Sequence, residues 1–444
     1  MSTWREWAAR SAWGVALALL SPVYALKLWW RGRAEPGYRQ AMLQRFGWGY
    51  PAALPQRPLW VHAVSLGETK AAAALIDALR QQHPGVPLLL THGTATGREA
   101  GLSLLKSGDA QTWLPWDTPG ATRRFLRHWQ PRLGVLMETE IWPSLLHAAA
   151  QAQLHMVLAN ARLSERSARK GQRLAALLRP AARALTLALA QTQDDARRLR
   201  EAGVAQVVVA GNLKYELKPD PAELALGAQW QAQWALANRV VVVAANTREG
   251  EEALLLAAWQ AWLARLPEAQ AARLVLALVP RHPQRFEEVA AFVRAQGFSV
   301  WRRSQWQGGA LPQQALQAEV VVGDSLGEMA RYYGMAQLAV LGGSFAPLGG
   351  HNLIESLACA CPIVLGPSTF NFAEAAELAL AAGAAWQVAD APTAMEQVGR
   401  VLDDAALRQH AQAAAVAFTA QHTGAAARMA QQLAPYLINA PTTR

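Results

Sequence analysis

The chain has 444 residues, 52% hydrophobic and 17% charged, which is enough apolar material for two globular cores and too much for a disordered chain. Its formal charge of +10 points to an anionic partner. No nucleic-acid motif accompanies the charge and the basic residues are spread along the chain, so a membrane or a phosphorylated lipid fits better than nucleic acid, with a generally basic solvated surface as the plain alternative.

The first element is an apolar run over residues 11–26, followed by Lys27, then Trp29 and Trp30, then Arg31 and Arg33. No small-residue cleavage pattern follows it, so residues 1–34 are read as an uncleaved membrane anchor that either spans the bilayer or lies on it. Beyond it, short apolar strands alternate with Ala/Leu-rich helices. Strands are predicted at 59–64, 87–91, 133–137, 156–159 and 185–190, and helices at 69–82, 97–107, 120–129, 141–150 and 165–178. The second half repeats the beat, with strands at 240–244, 274–279, 320–323, 338–341 and 363–365. Alternation of this kind predicts an α/β chain of two doubly wound parallel sheets facing a cleft, with ligands at the carboxyl ends of the strands. Gly, Lys and two prolines interrupt the pattern over 208–222, where the hinge is placed. The expected division is 35–212 and 213–425, with 426–444 as a tail.

Several strings fall at strand ends. Ser65-Leu66-Gly67-Glu68 sets Glu68 where a general base would stand, although S-x-x-E is also the capping-box pattern. The tetrapeptide recurs as Ser325-Leu326-Gly327-Glu328 with the same two readings. Met137-Glu138-Thr139-Glu140 puts two carboxylates at a strand terminus, suited to holding hydroxyls, to tuning one another, or simply to a solvated loop. Lys214 in Gly211-Asn212-Leu213-Lys214 is either a phosphate contact or a surface lysine. Asn246 to Glu252 (NTREGEE) opens a helix with acidic residues. Pro280-Arg281-His282-Pro283 pins a cation and an imidazole at a strand end, suited to a phosphate or a base edge.

Residues 342–374 hold two glycine pairs, then His351-Asn352 opening a short helix with Glu355 in its first turn. Such turns let a phosphate approach backbone N–H groups, and a carboxylate one turn in can take ribose or sugar hydroxyls. The stretch suggests the donor site of a sugar-nucleotide-dependent transferase, against an ordinary βαβ turn with packing glycines. No D-x-D and no G-x-x-x-x-G-K-[ST] occurs, so neither the usual acidic metal clamp nor a P-loop is expected. Cys359 and Cys361 are too close to bridge and form no metal site, so they are read as small core residues of a reducing compartment.

Taken in order, LWWRGRAEPGYRQAMLQRFG, HAVSLGETKAA, LPWDTP, METEIWPSLL, ANARLSERS, GNLKYE, NTREGEE, LVPRHPQRF, VVGDSLGEM, GGSFAPLGGHNLIES and LGPSTFNF resemble the 3-deoxy-D-manno-oct-2-ulosonic acid (Kdo) transferases of Gram-negative bacteria, nearly end to end. The resemblance implies the two-domain GT-B glycosyltransferase fold, an N-terminal acceptor domain and a C-terminal donor domain. It also implies inverting, metal-independent transfer of Kdo from CMP-Kdo to a lipid A precursor at the cytoplasmic face of the inner membrane, without a cofactor. By motif, Glu68 is the proton acceptor, and Glu138 and Lys214 are the transition-state stabilisers. Arg281, His282, Leu326, Gly327, Glu328, Asn352, Leu353, Ile354 and Glu355 are the CMP-binding elements. Leu326 stands where the family usually has Met, and Asn212 where some members have Ser. Arg162 and Arg166 are candidates for the acceptor phosphates. The rival readings are a UDP-sugar-dependent GT-B transferase or epimerase, and a non-catalytic membrane-anchored sensor of nucleotide or lipid.

Overall fold

Apolar runs of three to eight residues, most of them buried on both faces, build two parallel sheets in a computed structural model that describes residues 4–306 and 310–438. The chain divides into two compact units, Met1–Glu216 with His422–Arg444, and Leu217–Gln421.

In the first unit the strands are β1 (Leu59–His62), β2 (Leu88–His92), β3 (Ala110–Trp113), β4 (Leu133–Met137), β5 (Met156–Ala161), β6 (Leu187–Ala190) and β7 (Val207–Val209). Among the described residues they form one seven-stranded sheet in the order β3-β2-β1-β4-β5-β6-β7, parallel throughout. Winding reverses between β1 and β4, which leaves the crevice of a doubly wound sheet at their carboxyl ends. The second unit follows the same plan with β8 (Val240–Thr247), β9 (Leu274–Pro280), β10 (Val300–Arg302), β11 (Val320–Val322), β12 (Leu338–Leu341), β13 (Ile363–Leu365) and β14 (Ala385–Gln387). Their order is β10-β11-β9-β8-β12-β13-β14, and the reversal lies between β8 and β12. This is the GT-B class of architecture.

Three expectations are corrected. The helix expected at 97–107 is Ala95–Gly101, which tightens into a single 3-10 turn over Leu102–Leu104 and ends there. Residues 165–178 form not one helix but parts of two, Glu165–Gln172 and Ala175–Arg183; the break follows Gly171, the poorest helix former in the stretch. Residues 426–444 are not a tail over their described part. The helix Ala425–Ile438 sets Met429, Ala430, Leu433 and Leu437 into the core of the first unit beside Leu75, Ile76 and Leu79. A chain stopped at Thr423 would lose these side chains, each worth about 1.5–3 kcal/mol for the larger ones, against a typical net stability of about 5–15 kcal/mol. Such a truncation is expected to abolish the cooperative unfolding transition of the first unit in calorimetry; retention of that transition would show the helix to be dispensable.

The N-terminal helix Trp4–Arg31 is long and apolar enough to cross a membrane. It is fastened to its own unit along its length: Glu6 pairs with Arg183 at 3.4 Å, Trp13 Nε1 donates to Asp117 Oδ2 at 2.9 Å, and Tyr24 meets Trp116 edge-on. A Cβ on Gly14 would lie 3.1 Å from the Pro119 ring, so the small residue permits that approach. Near its end Leu28 is buried. Trp4, Trp7, Leu19, Leu20, Val23 and Trp30 remain exposed.

Candidate active site

β1 runs into the helix Leu66–Gln82 through Val64 and Ser65, and Ser65 is its N-cap. Ser65 Oγ accepts from the Glu68 N–H at 3.4 Å and donates to Glu68 Oε1 at 3.1 Å, while the Val64 N–H donates to Glu68 Oε2 at 2.7 Å. The cap is therefore real. Each carboxylate oxygen still keeps a lone pair, so capping and proton acceptance are compatible at Glu68. Burial pushes the Glu68 carboxyl above the usual carboxylate range, the Val64 N–H opposes this, Glu138 adds to it, and Ser65 and Lys214 oppose it.

The other groups come from neighbouring strand ends. Glu138 follows β4 with φ +59, a left-handed conformation rare outside glycine. Two backbone bonds fix it there: its N–H donates to Ala159 O at 2.9 Å and its carbonyl accepts from the Arg162 N–H at 3.3 Å. Lys214 sits exposed on the turn Leu213–Glu216. That turn is held by a chain of amides: Leu213 N–H donates to Asn160 Oδ1 at 3.0 Å, Gln191 Nε2 to Asn160 O at 2.9 Å, Asn212 Nδ2 to Gln191 Oε1 at 3.0 Å, and the Lys214 N–H to Asn212 Oδ1 at 3.0 Å. Asn160 is fully buried and carries φ +52 at the end of β5. Asn160 and Gln191 were not singled out in the sequence; the short polar break after an apolar strand was the available signal.

Glu140 also enters this site. Burial pushes its carboxyl up to about 7, with Glu68 adding to the rise. Its Oε2 lies 4.0 Å from His62 Nε2. This is not an ion pair, because burial holds His62 down to about 3 and the ring is neutral. His62 Nδ1 faces Thr91 O and Oγ1, and its Nε2 has no hydrogen-bond partner. Glu68, Glu138, Glu140 and Lys214 thus form one electrostatic group at the crevice between β1 and β4, three carboxylates with one cation, suited to taking a proton from a hydroxyl.

Residues 40–217 match the family profile described as 3-deoxy-D-manno-octulosonic-acid transferase (kdotransferase). The chain is 44% identical over 437 residues to the 3-deoxy-D-manno-octulosonic acid transferase of Bordetella pertussis, covering 96% of this chain and 99% of that one. This chain belongs to the Kdo transferase family. The corresponding protein of Haemophilus influenzae is 33% identical over 407 residues, covering 91% and 93% of the two chains. A crystal structure of a glycosyltransferase from Rickettsia africae aligns with TM-score 0.53 at 11% identity, over 87% of this chain and all of the other, and so shares the fold.

In this Kdo transferase the second unit gathers cations at its strand ends. Arg248 follows β8, Arg281 and His282 follow β9, and His351 lies in the loop after β12. Burial and the charges of Arg281, Arg248 and His282 push His351 down to about 4, and burial with Arg248 and Arg281 lowers His282, so the four groups are within electrostatic reach of one another. Among the described residues the Arg248 and Arg281 side chains have no hydrogen bond or ion pair, whereas Arg285 is spent on Glu252 and Glu288.

The glycine loop differs from expectation. The N–H groups of Gly343, Phe345 and Ala346 are not open to a phosphate, because the buried carboxylate of Glu251 accepts from all three at 2.6, 3.0 and 3.2 Å and from the Arg248 N–H at 2.9 Å. Glu251 was read only as a favourable charge at a helix start; it organises the loop. The helix after the loop is only Ile354–Ala358, with Asn352 Oδ1 accepting from the Ile354 N–H at 3.1 Å. A single turn carries little macrodipole. Leu353 and Ile354 are buried, so any ligand contact they make is through backbone.

The repeated tetrapeptide differs too. Glu328 is itself the residue before the helix Met329–Met335 and makes no side-chain cap. Its carboxylate takes Arg303 at 2.9 Å, Arg331 at 3.2 Å and Ser325 Oγ at 2.7 Å. Leu326 is exposed and Gly327 has φ +80, which leaves backbone as what this loop offers. Arg162 and Arg166 are both exposed; Arg162 follows β5 beside Glu138, while Arg166 lies on the helix Glu165–Gln172.

Proposed function

We propose that this glycosyltransferase moves Kdo from CMP-Kdo to a hydroxyl of a lipid A precursor (lipid IVA) with inversion and without a metal, in lipopolysaccharide synthesis. The observation that carries this reading is the grouping of Glu68, Glu138 and Lys214 at the crevice of the first unit in a chain related over 96% of its length to a named Kdo transferase. Glu68, with its raised proton affinity and free lone pairs, accepts the proton of the attacking hydroxyl. Glu138 and Lys214 stabilise the charge that develops. On the second unit Arg248 and Arg281 meet the phosphate of the departing CMP, since the N–H groups of Gly343, Phe345 and Ala346 are engaged by Glu251. His282, the backbone of Leu326-Gly327-Glu328 and the turn from Asn352 to Glu355 complete the nucleotide contacts.

The helix Trp4–Arg31 lies on the cytoplasmic face of the inner membrane. Its attachment from Glu6 to Leu28 supports lying along the surface, with Leu19, Leu20, Val23 and Trp30 entering the lipid.

The deciding test is thermal unfolding with CMP or UDP, followed by transfer assays with CMP-Kdo and tetraacyl lipid A precursor. CMP is expected to raise the melting temperature more than UDP does, and transfer is expected. A preference for UDP would favour a UDP-sugar transferase or epimerase, and nucleotide binding without transfer would favour a sensor.

Glu140 sets a pH dependence. Its carboxyl is raised from 4.5 to about 7, so the folded state holds this proton more tightly than the unfolded chain does. This group's contribution to stability therefore falls as pH rises from about 4.5 to about 7 and is level beyond. Glu140→Gln is expected to lose less melting temperature than the wild type between about pH 5 and about pH 8. Equal losses would mean that Glu140 is not the group holding the proton.

A further inference from the structure

The helix Glu165–Gln172 buries none of its own side chains, although it touches the helices Ala175–Arg183 and Gln193–Ala202. Beneath it lies a partly open cavity of about 390 Å³ lined by Leu158, Leu163, Leu178, Leu199 and Val204. Protein interiors pack to crystal-like density, and a space of this size lined by such side chains favours an apolar occupant over water.

The polar part of the lining indicates which apolar ligand. Thr139 reaches the cavity, and its two chain neighbours are Glu138 and Glu140 of the active site. Arg162 and Arg179 also line it, both exposed, and neither has a side-chain hydrogen bond or ion pair among the described residues. Arg198, by contrast, is neutralised by Asp194 and Asp195. Unpaired guanidiniums beside an apolar pocket suit an amphiphile with an anionic head.

We propose that this cavity takes one fatty acyl chain of the phosphorylated glycolipid acceptor, with Arg162 and Arg179 at the anionic head and the sugar hydroxyl directed toward Glu68. The assignment rests on the acylated-acceptor reading above. It makes the helix Glu165–Gln172 the element that measures the acceptor's lipid part.

The test uses the full chain in detergent and two acceptors, the tetraacyl disaccharide bisphosphate and its deacylated form. In Ala168→Phe and Leu178→Trp, which fill the cavity, the KM for the tetraacyl acceptor is expected to rise about 10-fold, and the preference for it over the deacylated acceptor to collapse. An unchanged preference in folded variants overturns the proposal. A measurement on the wild type needs no substitution: cis-parinaric acid should brighten on binding and be displaced by the tetraacyl acceptor but not by the deacylated one. Absence of a binding signal, or equal displacement by both, also overturns it. If the wild type transfers Kdo to neither acceptor, the transferase reading fails by itself, and the parinaric acid titration still decides the cavity.

Discussion

Glu68→Gln is expected to lower the turnover of Kdo transfer by about 10²–10⁴-fold, the usual worth of a positioned general base, with KM for CMP-Kdo little changed and the melting temperature close to wild type. The geometry separates the two roles of this residue. Its carboxylate accepts from the Val64 N–H and from Ser65 Oγ, so it holds the start of a helix as well as facing the site. A glutamine carbonyl can still accept from Val64, and its amide can donate to Ser65 Oγ, so the cap survives. What is lost is the ability to take a proton. Glu68→Ala would remove the base together with the carboxylate half of the capping box, leaving the Val64 N–H without its acceptor while Ser65 still caps the helix, at about 1 kcal/mol of destabilisation, which makes glutamine the cleaner probe. A folded Glu68→Gln protein with wild-type turnover would reduce Glu68 to a cap and move the base elsewhere, with Glu138 and Glu140 as the remaining carboxylates.

The second large effect is expected at Glu251, which touches no proposed substrate. Its carboxylate is fully buried and accepts from the N–H groups of Arg248, Gly343, Phe345 and Ala346. Glu251→Ala leaves these donors without their acceptor, and even one buried unsatisfied group costs about 1–3 kcal/mol. A loss of at least about 3 kcal/mol is therefore expected in urea unfolding of the second unit, together with at least a tenfold loss of CMP affinity in calorimetry, because Arg248 and the loop after β12 lose their common anchor. Glu251→Gln retains one acceptor oxygen but turns an NH₂ toward donors, and should fall between. An alanine variant with unchanged urea midpoint and CMP affinity would sink this account.

The central strands were legible because burial on both faces writes a continuous apolar run. β4, β12 and β13 were expected at their observed bounds. The strands that escaped notice are β3, β7, β10 and β14, and each is an edge of its sheet. An edge strand is short and half exposed, as Val207, Val208 and Val209 are, so its composition carries little signal. The carboxylates and cations proposed for the candidate site were legible as residue types at strand ends. Their partners were not, since the bonds of Glu251 to residues 343–346 and of Asn160 to Leu213 join distant parts of the chain. The same distance hid the engagement of the Gly343, Phe345 and Ala346 N–H groups by Glu251. The fate of residues 425–438 was hidden too, because an amphipathic helix at a chain end gives no sign of which sheet it covers.

That last helix sets an order of events during synthesis. The second unit is one unbroken stretch, Leu217–Gln421, whereas the first needs His422 and beyond to close its core. A nascent chain therefore completes the second unit while the first, made earlier, still exposes the surface of Leu75, Ile76 and Leu79 that the helix will cover. Domains emerging from the ribosome usually mature from the N-terminus onward; here the unit that emerges first is the one that finishes last. A chaperone that binds the stalled chain before Ala425 emerges should be released when the final helix docks.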